Sequence, residues 1–172
     1  MPQNVEIKAR LDDLAHQTSL AEQLCDGNGQ RLHQVDVFFR CDKGRLKLRT
    51  FGDGTGELIF YRRANNAGPK VSEYEIAPTD DPESLRLALA NAYGEVAVVE
   101  KERLVHIHQR TRIHLDRVRH LGDFLELEVV LSDEDSLESG EKEAATLMKE
   151  LQIDESMLIS GAYVDLLQSL QH

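Results

Sequence analysis

Only two cysteines, Cys25 and Cys41, occur in the 172 residues, and they do not form a Cys-x-x-Cys pair. That excludes a disulfide framework and a structural zinc knuckle, and it points to a reducing, cytoplasmic compartment. No run approaches the roughly 20 apolar residues that a bilayer span requires. The opening residues, MPQNVEIKAR, lack the apolar stretch of a signal peptide and instead alternate like a strand. Bases are in the minority, 20 against 31 acids, for a net charge of −11. Neither a nucleic-acid polymer nor an anionic membrane surface suits such a chain, whereas a small anionic ligand needs only a few bases gathered in one place. Internal repeats, low-complexity tracts and linkers are absent too. Residues 1–172 therefore read as one globular domain with a sizeable core.

Period-two alternation dominates what is present. Strands are expected over 4–10, 33–40, 44–51, 57–63, 70–77, 95–107, 110–118 and 122–131. Helices are expected over 12–25, 82–93, 135–151 and 154–170. The second has the clearest ends: Asp81 as N-cap, Pro82 at the first helical position and Gly94 beyond the last turn. Strands outnumber helices and follow one another through short turns, which implies α+β architecture with an antiparallel sheet rather than a βαβ chain.

The strand faces carry the chemistry. Lys8 and Arg10, then Arg45, Lys47 and Arg49, then Lys101 and Arg103, then Arg110 and Arg112 stand at spacing two. With Arg63 they make up half of the 20 bases. Two like charges about 5 Å apart repel by roughly 3 kcal/mol at an effective dielectric near 20, so the crowding calls for open water or a polyanion. Acids share faces as well: Glu6, Asp116, and the pair Glu126 and Glu128. Oxygen ligands of this kind suit a hard divalent cation, Mg²⁺ or Mn²⁺. Bases for phosphate oxygens beside acids for a bridging metal compose a polyphosphate site. Closing the eight strands into a barrel would line a tunnel with these faces and turn the apolar faces outward, beneath the helices.

NVEIKAR (4–10), QVDVFF (34–39), GRLKLR (44–49), LIFYRR (58–63), GPKVSEYE (68–75), VVEKER (98–103), RIHLDRV (112–118), LGDFLELE (121–128) and SGAYVDLL (160–167), in this order, resemble the CYTH superfamily of triphosphate tunnel metalloenzymes. That group includes class IV adenylyl cyclases, thiamine triphosphatases and tripolyphosphatases. The resemblance implies an eight-stranded antiparallel β-barrel with a polar, charged interior and flanking helices. It implies metal ligation by Glu6, Asp116, Glu126 and Glu128. Triphosphate contacts follow from Lys8, Arg10, Arg45, Lys47, Arg49, Arg63, Lys101, Arg103 and Arg112, with Lys8, Arg63 and Lys101 serving the reaction. The family signature, Glu-x-Glu-x-Lys, reads Asn4-Val5-Glu6-Ile7-Lys8 here, one carboxylate short. Tyr163 and Asp165-Leu166-Leu167 look like the bacterial cyclase-type branch.

The implied activity is metal-dependent conversion of ATP to cyclic AMP and pyrophosphate. Hydrolysis of tripolyphosphate or thiamine triphosphate, and non-catalytic binding of a nucleotide or polyphosphate, are the alternatives. A lipocalin-like carrier of an apolar ligand is disfavoured by the charged faces. His106, His108 and His114 are expected to be polar or packing positions rather than zinc ligands, and GDGTG at 52–56 a hairpin turn. Cover for the outer face of the barrel comes from helices or from a second copy of the chain in a homodimer.

Overall fold

The computed structural model describes residues 2–64 and 67–171. Eight strands run β1 (Gln3–Leu11), β2 (Gln30–Phe39), β3 (Arg45–Phe51), β4 (Gly56–Arg63), β5 (Lys70–Thr79), β6 (Glu95–His108), β7 (Thr111–Val118) and β8 (Gly122–Leu131). They close into an antiparallel barrel in the order β1-β5-β4-β3-β2-β6-β7-β8. Closure joins β1 to β8 along the whole of β1, from Gln3 opposite Leu131 to Leu11 opposite Asp123.

Along its middle the barrel is polar inside and apolar outside, because the hydrophobic residues of its outer faces meet helices. On β1, Val5, Ile7 and Ala9 face out with no exposed surface, and Leu125, Leu127 and Val129 do the same on β8. They pack beneath α1 (Leu14–Cys25) and α3 (Leu137–Glu150) through Ala21, Ala144, Leu147 and Leu151. Each buried Val, Leu or Ile among them contributes about 1.5–3 kcal/mol of burial. Gly140 lets α3 lie on the sheet: a Cβ there would come within 2.8 Å of the Val5 side chain. On the opposite side Val37, Phe39 and Leu48 pack under Leu85, Leu89 and Ala90 of α2 (Pro82–Tyr93). Asp13, Asp81 and Ser136 cap the three helices by accepting the backbone N–H three residues on.

The helix expected over 154–170 is instead a 3₁₀ turn at Glu155–Met157, an extended crossing, and the short α4 (Tyr163–Ser169). Two backbone demands outweigh the apolar periodicity. The second half of β1 lacks a partner on its β5 side, so Leu158 bridges to Ala9 and the Ile159 N–H donates to the Lys8 carbonyl at 3.0 Å. Gly161 then turns the chain at φ +81°. The crossing carries Ala162, Tyr163 and Val164 into one end of the barrel. There they form an apolar floor with Phe38, Val99, Val118 and Phe124. Among the described residues no helix is long and apolar enough to cross a membrane.

Candidate active site

Inside the barrel is a cavity of about 400 Å³, within the size range of small-molecule sites. Tyr163 and its neighbours close one end, and the other opens between Leu32, Phe51, Ile76, Val105 and Ile107. Alternation places Lys8 on β1, Lys47 and Arg49 on β3, Arg63 on β4, Lys101 and Arg103 on β6 and Arg112 on β7 along its wall. Lys70 of β5, opposite Glu6 in the register, is buried beside them.

The carboxylates divide these bases into groups. Glu6 accepts from Arg63 Nη1 at 2.9 Å. Burial and the neighbouring Glu126 nevertheless raise its pKa, with Arg63 opposing. Lys8 Nζ lies 3.4 Å from Glu126 and 3.9 Å above the Tyr163 ring. Burial favours the neutral form of Glu126, but Lys8, His114 and Arg103 outweigh it and hold its carboxyl well below the ordinary range. Glu128 Oε1 accepts from Arg112 Nη2 at 2.7 Å and from Asn4 Nδ2 at 2.8 Å.

Glu126, Glu128 and His114 bring one ligand atom each within 4.8 Å of one another. His114 Nδ1 is 3.7 and 3.9 Å from the two carboxylates, and neither it nor the buried Asn4 Oδ1 has a hydrogen-bond partner among the described residues. Burial, reinforced by Arg103, lowers the His114 pKa and so favours the neutral imidazole that can ligate. Two carboxylates and a ring nitrogen around one point fit a divalent cation, and the orphaned amide oxygen of Asn4 belongs to a side chain bonded to one of those carboxylates. His114, expected as a polar or packing position rather than a zinc ligand, lines the cavity beside the two carboxylates, and its inward parity with Arg112 was the available signal.

Several expected residues lie elsewhere. Asp116 is withdrawn to the closed end, fully buried, where it accepts from Arg103 Nε and Nη2 and from the Tyr163 hydroxyl, each at 2.7 Å. Its oxygens are committed to a tether between β7 and α4, away from the Glu126–Glu128 pair. Arg10 is exposed, its Nη1 donating to the Leu121 carbonyl at 3.2 Å. Arg45 pairs with Asp165 of α4, outside the cavity lining. Arg110 precedes β7 and reaches Asp135 and Glu143 on the outside. Asp36 of β2, absent from the expected set, is buried among Lys47, Arg49 and Lys101. Its alternation with Val35 and Val37 already marked it as inward.

The CYTH domain family matches residues 2–163. The chain belongs to the CYTH family. Solved structures with the CYTH barrel seen here include a protein of Pyrococcus horikoshii at 22% identity and TM-score 0.82, covering 95% of this chain and 98% of that one. A candidate adenylate cyclase of Vibrio parahaemolyticus has 18% identity and TM-score 0.78, over 96% and 97% of the two chains. A candidate adenylyl cyclase of Hippeastrum with a dominant triphosphatase activity has 13% identity and TM-score 0.69, over 98% and 96%. At these identities the likeness speaks for the fold. A search of curated protein sequences gives no match.

Proposed function

We propose that this CYTH chain is a divalent-metal-dependent enzyme acting on a triphosphate, and that its substrate is ATP, cyclised to cyclic AMP with release of pyrophosphate. The observation that carries the reading is the gradient along one cavity: Lys8 and Lys101 stand over the Tyr163 ring at its closed end, while Leu32, Phe51, Ile76, Val105 and Ile107, with the polar Gln30 and Glu57, line it toward the other. Such a gradient suits a phosphate chain bound inward with an organic head group at the rim. Lys8, Lys47, Arg49, Arg63 and Lys101 neutralise the β- and γ-phosphates and the charge that grows on departing pyrophosphate. Leu32, Phe51, Ile76, Val105 and Ile107 hold the base and so fix the ribose relative to the α-phosphorus. When bound at Glu126, Glu128, His114 and Asn4, Mg²⁺ or Mn²⁺ supplies Lewis-acid charge beside the phosphates.

Incubation with Mn²⁺ or Mg²⁺ and ATP, thiamine triphosphate or tripolyphosphate, followed by product identification, tests the proposal. Cyclic AMP with pyrophosphate supports the cyclase. Orthophosphate without cyclic AMP from ATP overturns cyclisation and assigns a hydrolase. Tight binding without turnover overturns the enzyme.

A further inference from the structure

Asp36 stands apart from the other deep carboxylates, which belong to β1, β7 and β8. It projects from β2 between the bases of the two flanking strands. Its Oδ1 accepts from Arg49 Nε at 2.8 Å, and its Oδ2 accepts from Arg49 Nη2 at 2.8 Å and from Lys47 and Lys101 Nζ, both at 3.1 Å. Only 2% of Asp36 is exposed. One carboxylate thus gathers three basic side chains from β3 and β6, more than its single negative charge can balance when all three are protonated.

We propose that Asp36 is a positioning residue for the phosphate-binding bases: it fixes Lys47, Arg49 and Lys101 at one point and keeps the two lysines charged within the barrel. This inference rests on the triphosphate reading only for its choice of probe. Two buried ammonium groups beside guanidinium groups shed protons easily. Facing them are Arg49 from β3, Arg103 from β6, Asp116 from β7, Tyr61 from β4 and Tyr163 from α4, besides Asp36 itself. Burial and Arg49 already bring Lys47 down to about 8, and burial lowers Lys101 well below the ordinary lysine value. In both cases Asp36 is the charge that opposes the loss.

The sign of the effect follows. Without Asp36 both lysines lose their protons at a lower pH, and each unit of displacement is about tenfold in the charged population on the alkaline side. On the acid side they stay charged, and one negative charge fewer faces an incoming anion. Asp36→Asn should therefore bind tripolyphosphate at least as tightly as the wild type well below pH 8, and roughly tenfold or more weakly above it. A merely structural role would weaken binding at every pH.

Titration calorimetry with tripolyphosphate and a chelator present, on both sides of pH 8, reads this crossing. Heteronuclear NMR titration of the Lys47 and Lys101 ammonium groups reads it without any ligand. A downward displacement of both lysines in Asp36→Asn, with the crossing, supports the proposal. Parallel binding curves or unmoved lysines overturn it. Absence of tripolyphosphate binding by the wild type overturns the triphosphate reading, and the NMR titration then decides for Asp36 alone. Should Asp36→Asn fail to fold, the double variant Lys47→Arg/Lys101→Arg decides. Guanidinium groups keep their charge, so its alkaline weakening should vanish, and persistence of that weakening overturns the proposal.

Discussion

Exchanging Asn4 for aspartate is nearly isosteric and reverses the sign of one contact. In the wild type the Asn4 amide donates to Glu128 Oε1 at 2.8 Å. In Asn4→Asp a carboxylate oxygen takes that place. Two charges at 2.8 Å repel by about 6 kcal/mol at an effective dielectric near 20. The pair has a cheaper course, because taking up a proton at neutral pH costs a carboxyl of ordinary pKa about 4 kcal/mol. The destabilisation is therefore capped near that figure. At about 2–4 °C per kcal/mol for a domain of this size, Tm should fall by roughly 10 °C in a chelator at neutral pH. The sign with pH is fixed: position 4 has a folded pKa above its unfolded value, so the deficit closes as pH falls toward about 4 and widens as pH rises. A divalent cation closes it from the other side. Ligand at about 100 times its Kd returns about 2.7 kcal/mol, and the variant should bind Mn²⁺ more tightly than the wild type without any triphosphate. Thermal denaturation with chelator, with Mn²⁺ and across pH measures all three effects. An Asn4→Asp protein with wild-type Tm in the chelator and no added response to Mn²⁺ would refute the placement of Asn4 beside the metal site.

Glu126→Gln and Glu128→Gln should each lower metal-dependent turnover at least 100-fold while folding normally, whereas Leu127→Ala, from the opposite face of the same strand, should cost about 2–5 kcal/mol of stability. Turnover assays paired with denaturant unfolding separate the two faces. Tyr163→Phe keeps the ring beneath Lys8 but removes the hydroxyl from Asp116, and should cost about 1.5–3 kcal/mol in chemical denaturation. Arg10→Ala should leave kcat and KM within about twofold of wild type, since that guanidinium lies outside the cavity at an exposed position where substitutions usually cost little. A larger loss would mean that substrate reaches beyond the barrel's closed end.

Strand number, antiparallel order and the inverted barrel were legible because period two survives tertiary packing: Val5, Ile7 and Ala9 against Asn4, Glu6 and Lys8 can be read directly. Parity tells which face a side chain takes but not how far along the barrel it stands. Arg10, Arg45 and Arg110 stand at spacing two from Lys8, Lys47 and Arg112, and the resemblance put the first two among the triphosphate contacts, yet all three lie outside the cavity lining. Asp116 has the inward parity of a ligand yet sits too deep, where Arg103 and Tyr163 claim it. Asp36 and His114 were undervalued for the converse reason, since each is a single polar residue on its strand face, and strand parity does not show that Lys47, Arg49 and Lys101 converge on the one or Glu126 and Glu128 on the other. The broken helix at 158–162 was hidden because an open edge on β1 is a property of the closed barrel.

Closure between β1 and β8 has a consequence for how the molecule is made. Every charged face described above belongs to one continuous ribbon until Gln3–Leu11 meets Gly122–Leu131. In the open ribbon the inward bases and acids are hydrated. Curling it forces them together before the compensating pairs across the lumen are complete. Contacts between the first and last strands also have the greatest sequence separation in the sheet, which makes them slow to form. Barrel closure should therefore be the late step of folding and sensitive to ionic strength, with small polyanions speeding it by screening the bases as they converge.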